Sequence, residues 1–187
     1  MPFYKNIYTI SFLSFLLVFF PKNAFAEGVE IKNFKLLGNP DKYQVHARVA
    51  FELNNYLHKA LLNGVELNAR VQIRLGEHRS WWFNKDTTLI TVKYKLKYHA
   101  LSQHYLLSRS DTGENWSFST LPETLRKLGE LQKFSLPPIK EPIKNGDYYI
   151  FAIADIGPAV LRLPLRIQAL FSDEYRLTSE GVLWPLP

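Results

Sequence analysis

VELNARVQIRL, residues 65–75, alternates without a break. Val65, Leu67, Ala69, Val71, Ile73 and Leu75 fall on one side of an extended chain, and Glu66, Asn68, Arg70, Gln72 and Arg74 on the other. Successive side chains of a strand point to opposite faces, so a period of two marks a half-buried antiparallel strand. The same pattern stands on either side of this stretch. In KYQVHARVAFEL (42–53), Tyr43, Val45, Ala47, Val49, Phe51 and Leu53 oppose Lys42, Gln44, His46, Arg48 and Glu52. In TLITVKYKLKYHA (88–100), Ile90, Val92, Tyr94, Leu96 and Tyr98 oppose Thr91, Lys93, Lys95 and Lys97. VEIKNFKLL, QHYLLSR and NWSFST read as weaker strands, and DYYIFAIADI, apolar on both faces, as a central one.

Turn chemistry separates these runs. GNPD (38–41), DTGEN (111–115) and KNGD (144–147) place Gly, Asn and Pro where the chain must reverse. Two short helices interrupt the strands. NNYLHKALLNG has an Asn cap, Leu57 and Leu61 one turn apart, and Gly64 as a stop. TLPETLRKLGELQKF opens with Thr120 and Glu123 as a capping box and sets Leu121, Leu125 and Leu128 on one face. The prolines of SLPPIKEP cannot continue that helix. About eight strands and two short helices predict a mainly β fold, an antiparallel β-sandwich-like domain.

The first 26 residues, MPFYKNIYTISFLSFLLVFFPKNAFA, have the three parts of a signal peptide. Lys5 is the positive start, IYTISFLSFLLVFF is an apolar run of 14 residues, and Ala24-Phe25-Ala26 offers a cleavage site after Ala26. A membrane span needs about 20 apolar residues, so export with cleavage is the expectation and an uncleaved anchor in the inner membrane the alternative. The division expected is residues 1–26 as signal peptide and 27–187 as a single β-rich domain of 161 residues, enough for one buried core. Its location is expected to be the periplasm. The chain has no cysteine, which excludes a lipoprotein anchor, cysteine nucleophiles and thiolate metal sites. Loss of Lys5 and Lys22 leaves 21 basic against 17 acidic residues, a net charge of +4. Outside the cytoplasm that balance favours anionic surfaces or an acidic protein face over nucleic acid.

Candidate chemistry is sparse. Asp111-Thr112-Gly113 resembles the aspartic-protease triplet, but Arg109 and Ser110 precede it where that site needs apolar cover, so it reads as a hairpin turn. His46, His58, His78, His99 and His104 show no metal-ligand spacing; His99 and His104 could face each other across HALSQH, but two ligands make no site. Phosphate-loop, dinucleotide and nucleophile-elbow motifs are lacking, so neither cofactor nor metal is expected. The basic strand faces have two readings. His46, Arg48, Arg70, Arg74, Lys93, Lys95 and Lys97 would merge into one cationic binding face if their strands are neighbours. Otherwise they are solvated surface, with the lysines guarding an edge. Trp81 and Trp82, in HRSWWFNKD (78–86), point to opposite faces of an extended chain. They form either a binding platform or, as the preferred reading, a packing plug at a corner of the fold, with Arg79 able to stack on either ring.

LLNGVEL, RSWWFNKD, YKLKYHALSQHYLL, TLPETLRKLGEL, GDYYIFAIADI and SDEYRLTS occur in this order along nearly the whole exported chain. As a set they resemble the domain of unknown function 4390, with Tyr175 standing where a tryptophan is expected. The resemblance implies a bacterial envelope protein with a signal peptide and no established catalytic residue. It also implies a gene neighbourhood that often includes a sensor histidine kinase of the nitrogen-regulation type, so a sensor kinase ectodomain or another envelope protein is a candidate partner. The expected function is therefore a non-enzymatic binding or accessory module of the cell envelope. The alternative is an envelope hydrolase using scattered residues such as Asp86, His99 and Asp155. A hydrolase needs a titratable pair converging in a cleft, and a binding module needs a flat or grooved face.

Overall fold

From Leu67 to Leu75 each odd-numbered side chain is at most 4% exposed, while Asn68, Arg70, Gln72 and Arg74 remain half-buried. The alternation read from the sequence thus becomes strand β3 (Leu67–Glu77), with one face in the core. The fold is seen in a computed structural model that describes residues 28–39, 41–78, 85–139, 148–159 and 174–186. β3 lies between β4 (Lys85–His99) and β8 (Tyr148–Pro158), antiparallel to both. Beyond β4 follow β5 (His104–Arg109) and β6 (Asn115–Phe118). On the far edge of β8 sit β9 (Leu177–Thr178) and β10 (Val182–Pro185), completing a seven-stranded antiparallel sheet.

A second sheet holds β1 (Gly28–Leu37), β2 (Gln44–Glu52) and β7 (Glu130–Ser135), in the order β1-β2-β7. The inner faces of the two sheets share one core. Val45, Val49 and Phe51 of the small sheet join Leu67, Val71, Leu96, Leu107, Ile150 and Ile156 of the large one. Burying each such side chain contributes about 1.5–3 kcal/mol. The expected sandwich-like, mainly β architecture is therefore present, with ten strands and two helices among the described residues. The strand count exceeds expectation because β9 and β10, of two and four residues, are too short to show a period.

Helix α1 (Asn55–Leu62) forms as its sequence predicts. Asn54 caps it, the side-chain oxygen accepting from the Leu57 N–H at 2.9 Å, and Leu57 and Leu61 are fully buried. The Asn54 side-chain amide also donates to the Glu174 carbonyl at 2.9 Å, tying the helix start to the C-terminal segment. Helix α2 (Leu121–Leu128) differs from its prediction. The helical pattern of TLPETLRKLGELQKF runs on past Gly129, yet the chain turns there and Glu130 begins β7. Val49 is the cause: its N–H donates to the Gly129 carbonyl at 2.8 Å, and a Cβ on Gly129 would lie 1.8 Å from the Val49 oxygen. Only glycine allows that approach, and it brings β7 alongside β2. Nor does Thr120 cap the backbone; its hydroxyl donates to the Glu123 carboxylate at 2.9 Å. Among the described residues no helix is long and apolar enough to cross a membrane.

Candidate functional site

Antiparallel register decides which polar side chains meet on the outer face of the seven-stranded sheet. Arg70 stands opposite Lys93 on β4 and opposite Asp155 on β8. Asn68 stands opposite Lys95, and Lys95 opposite Ser108 of β5. Neighbouring strands lie about 4.8 Å apart, so Asp155, Arg70 and Lys93 form a row across three strands.

Asp155 is the only charged residue in YYIFAIADI, and its side chain is 8% exposed. A carboxylate so buried requires cations beside it. Arg70 Nε donates to one carboxylate oxygen at 2.9 Å, and Arg176 Nη1 to the other at 2.6 Å. Arg176 arrives just ahead of β9, where Thr178 pairs with Asp155. Gly157 permits this approach, since a Cβ there would stand 2.9 Å from the Tyr175 carbonyl and 3.3 Å from Arg176 Cβ. Both guanidinium groups stay half-exposed, so Asp155 fixes two cations at the surface without consuming either.

Beside this cluster lies a cavity of about 250 Å³ lined by Asn68, Arg70, Lys93, Lys95, Asp155 and Arg176, with Ser110 and Tyr94 at its margin. Lys93 and Lys95 have no acidic partner among the described residues. The buried side-chain oxygen of Asn68 accepts no hydrogen bond. The site is a small concave surface with four cations around one carboxylate, suited to holding an anion.

The structure thus brings Arg70, Lys93 and Lys95 together and leaves the other candidates outside the cavity. Lys97 shares their face but sits opposite Leu106, beyond the cavity wall. Arg74 points its Nη2 to Gln72 at 2.8 Å, and its buried Nε has no partner. His46 and Arg48 do not join this face as the merged-face reading required: they are on β2, in the other sheet. Trp81, Trp82 and Arg79, with the corner they were expected to form, lie outside the described residues, as does the KNGD turn. Sequence reasoning did not single out Arg176. The one available signal was Asp155 itself, a charge in an apolar strand that required a basic partner.

Among the described residues, the remaining polar groups do not assemble a reaction centre. Asp86 accepts from the Tyr149 hydroxyl at 3.3 Å near one end of β4, and His99 is at the other end, about 40 Å away along the strand. Asp155 is held by its two arginines. His99 and His104 are register partners, and each hydrogen-bonds to Ser102 in the hairpin turn. No group of three or more potential metal ligands occurs among the described residues. The DTG segment is the β5–β6 turn. Gly113 takes φ +73°, and the Arg109 N–H donates to the Glu114 carbonyl at 2.9 Å. The Arg109 guanidinium grips the Asp111 carboxylate with two bonds of 2.8 Å. Those bonds hold the Asp111 carboxyl below its ordinary pKa. Burial pushes the Tyr94 phenol above its own, against a smaller opposing pull from Arg109.

No curated protein and no solved structure matches the chain significantly. The model of the family described as "Domain of unknown function (DUF4390)" matches residues 26–185, almost the full length that follows the apolar N-terminal run. The chain belongs to the DUF4390 family.

Proposed function

We propose that this protein is an exported, non-enzymatic accessory module of the cell envelope that binds an acidic partner through the outer face of its seven-stranded sheet. The observation that carries the reading is the placement of Arg70 and Arg176 on one buried carboxylate, next to two lysines without acidic partners among the described residues. A merely solvated face has no need of a buried anchor for its cations. Export rests on the signal-like character of residues 1–26, and the family match beginning at residue 26 supports a single domain over 27–187. In the periplasm the partners that fit are an envelope protein with an acidic face or the ectodomain of a sensor kinase. The distance between Asp86 and His99, and the engagement of Asp155 with arginine, weigh against the hydrolase alternative.

Capture from periplasmic extract tests the reading. The wild-type domain should retain a partner at 50 mM salt and release it by 300 mM, because exposed charges are screened over about 10 Å at 0.1 M. Lys93, Lys95 and Lys97 changed together to Gln should abolish capture. Capture that survives both treatments would refute the binding face. Mass spectrometry of the exported protein should find Glu27 as its first residue, whereas an intact Met1 in the membrane fraction would show an anchored protein.

A further inference from the structure

We propose that the cavity beside Arg70 and Arg176 receives the phosphoryl group of a phosphomonoester as the anionic part of its ligand; this rests on reading the outer sheet face as the binding surface. Charge is the first argument. Four cations line the cavity against one carboxylate, an excess of three positive charges. A single carboxylate would neutralise one of them, while a phosphomonoester carries about −1.5 to −2 at neutral pH.

Donor geometry is the second. Arg70 spends its Nε on Asp155 and Arg176 one Nη, so each guanidinium keeps two nitrogens for a ligand. Their planes are held by the shared carboxylate before any ligand arrives. A guanidinium fixed in this way matches two oxygens of a phosphoryl group, and a lysine adds a mobile point charge. Lys93 and Lys95 supply two such charges from β4.

Asn68 is the third. Its buried oxygen has no partner, a costly state for an amide. Asn68 lines the cavity, so a rotation of its side chain toward a ligand atom there would relieve the unpaired amide. The cavity, at about 250 Å³, is smaller than the roughly 300–1,000 Å³ of sites that enclose a whole drug-sized molecule. It has room for a headgroup, with the rest of the ligand lying outside over the sheet.

Titration calorimetry with glycerol 3-phosphate, using succinate as a carboxylate control, tests the assignment. Wild-type protein should give saturable heat with glycerol 3-phosphate and bind succinate at least ten-fold more weakly. Lys93→Gln with Lys95→Gln should weaken the phosphate ester at least ten-fold; this variant leaves the Asp155 pairs intact, so folding is not at issue. Arg176→Gln should do the same. Co-sedimentation with phosphatidylcholine vesicles, with and without phosphatidic acid, separates the sources of the phosphoryl group. Retention on phosphatidic acid vesicles that the lysine variant loses assigns a lipid headgroup, and retention on neither assigns a soluble phosphate ester. No saturable heat with glycerol 3-phosphate, or equal affinity for succinate, would overturn the inference. If that happens while wild-type capture from extract still depends on the three lysines, the ligand is an acidic protein face, and the broader reading stands alone.

Discussion

The inner and outer faces of the β3–β4 pair share one backbone and one register, yet they answer to different demands. Inward, Leu67, Val71, Val92 and Leu96 are at most 1% exposed and belong to the apolar core. Outward, Arg70, Lys93 and Lys95 stand one residue away from them and border a polar cavity. A strand of period two separates these roles completely, because a substitution on one face does not touch the other. Stability should therefore respond to changes on the inner face and binding to changes on the outer one, and Asp155 alone should couple them.

The largest effect is expected on the inner face. Leu96→Ala empties a fully buried site and should cost about 2–5 kcal/mol, much of the 5–15 kcal/mol that holds a domain together. Its urea midpoint should fall sharply while the outer face, if the protein remains folded, keeps its ligand. A loss of binding without loss of stability would break the separation.

Asp155→Ala comes next. It leaves Arg70 and Arg176 facing each other without a counter-charge, but both reach solvent, so the cost should be about 1–3 kcal/mol. Binding should weaken as well, because the two guanidinium groups lose their anchor. A variant that melts early and binds normally would show that Asp155 serves the fold alone.

Asp111 offers a smaller, pH-dependent effect away from both faces. Its carboxyl is held below the ordinary value of 3.8 by the hydrogen bonds from Arg109, so the charged form is favoured by folding. That stabilisation is present above the unfolded value and is lost as pH falls through the folded one, in a window below about pH 4. Solvent screens the pair, which limits it to about 0.2–1 kcal/mol. Urea midpoints at pH 6 and pH 3 should show Asp111→Asn losing less on acidification than wild type; equal losses would remove the pair from the account.

Strand parity and the central place of the 148–158 segment could be read directly, because alternation is local and survives without knowledge of neighbours. Sheet membership could not. Arg48 and Arg70 sit in similar patterns, and nothing in either stretch says that β2 pairs with β1 and β7 while β3 pairs with β4 and β8. The end of α2 was hidden for a related reason: its helical pattern continues past Gly129, and the deciding contact with Val49 is 80 residues away in the chain. At the candidate site the lysines and Arg70 were legible from period two. Arg176 was not, since its role depends on a short strand laid against β8 and on the space that Gly157 leaves.

The most direct test of the separation between faces is a paired measurement on Lys93, Lys95 and Lys97 changed together to Gln, with urea unfolding and partner capture from periplasmic extract made on the same preparation. The account predicts a stability within about 0.5 kcal/mol of wild type, as for ordinary surface substitutions, together with loss of the salt-sensitive capture. Full capture by a stably folded variant would contradict it.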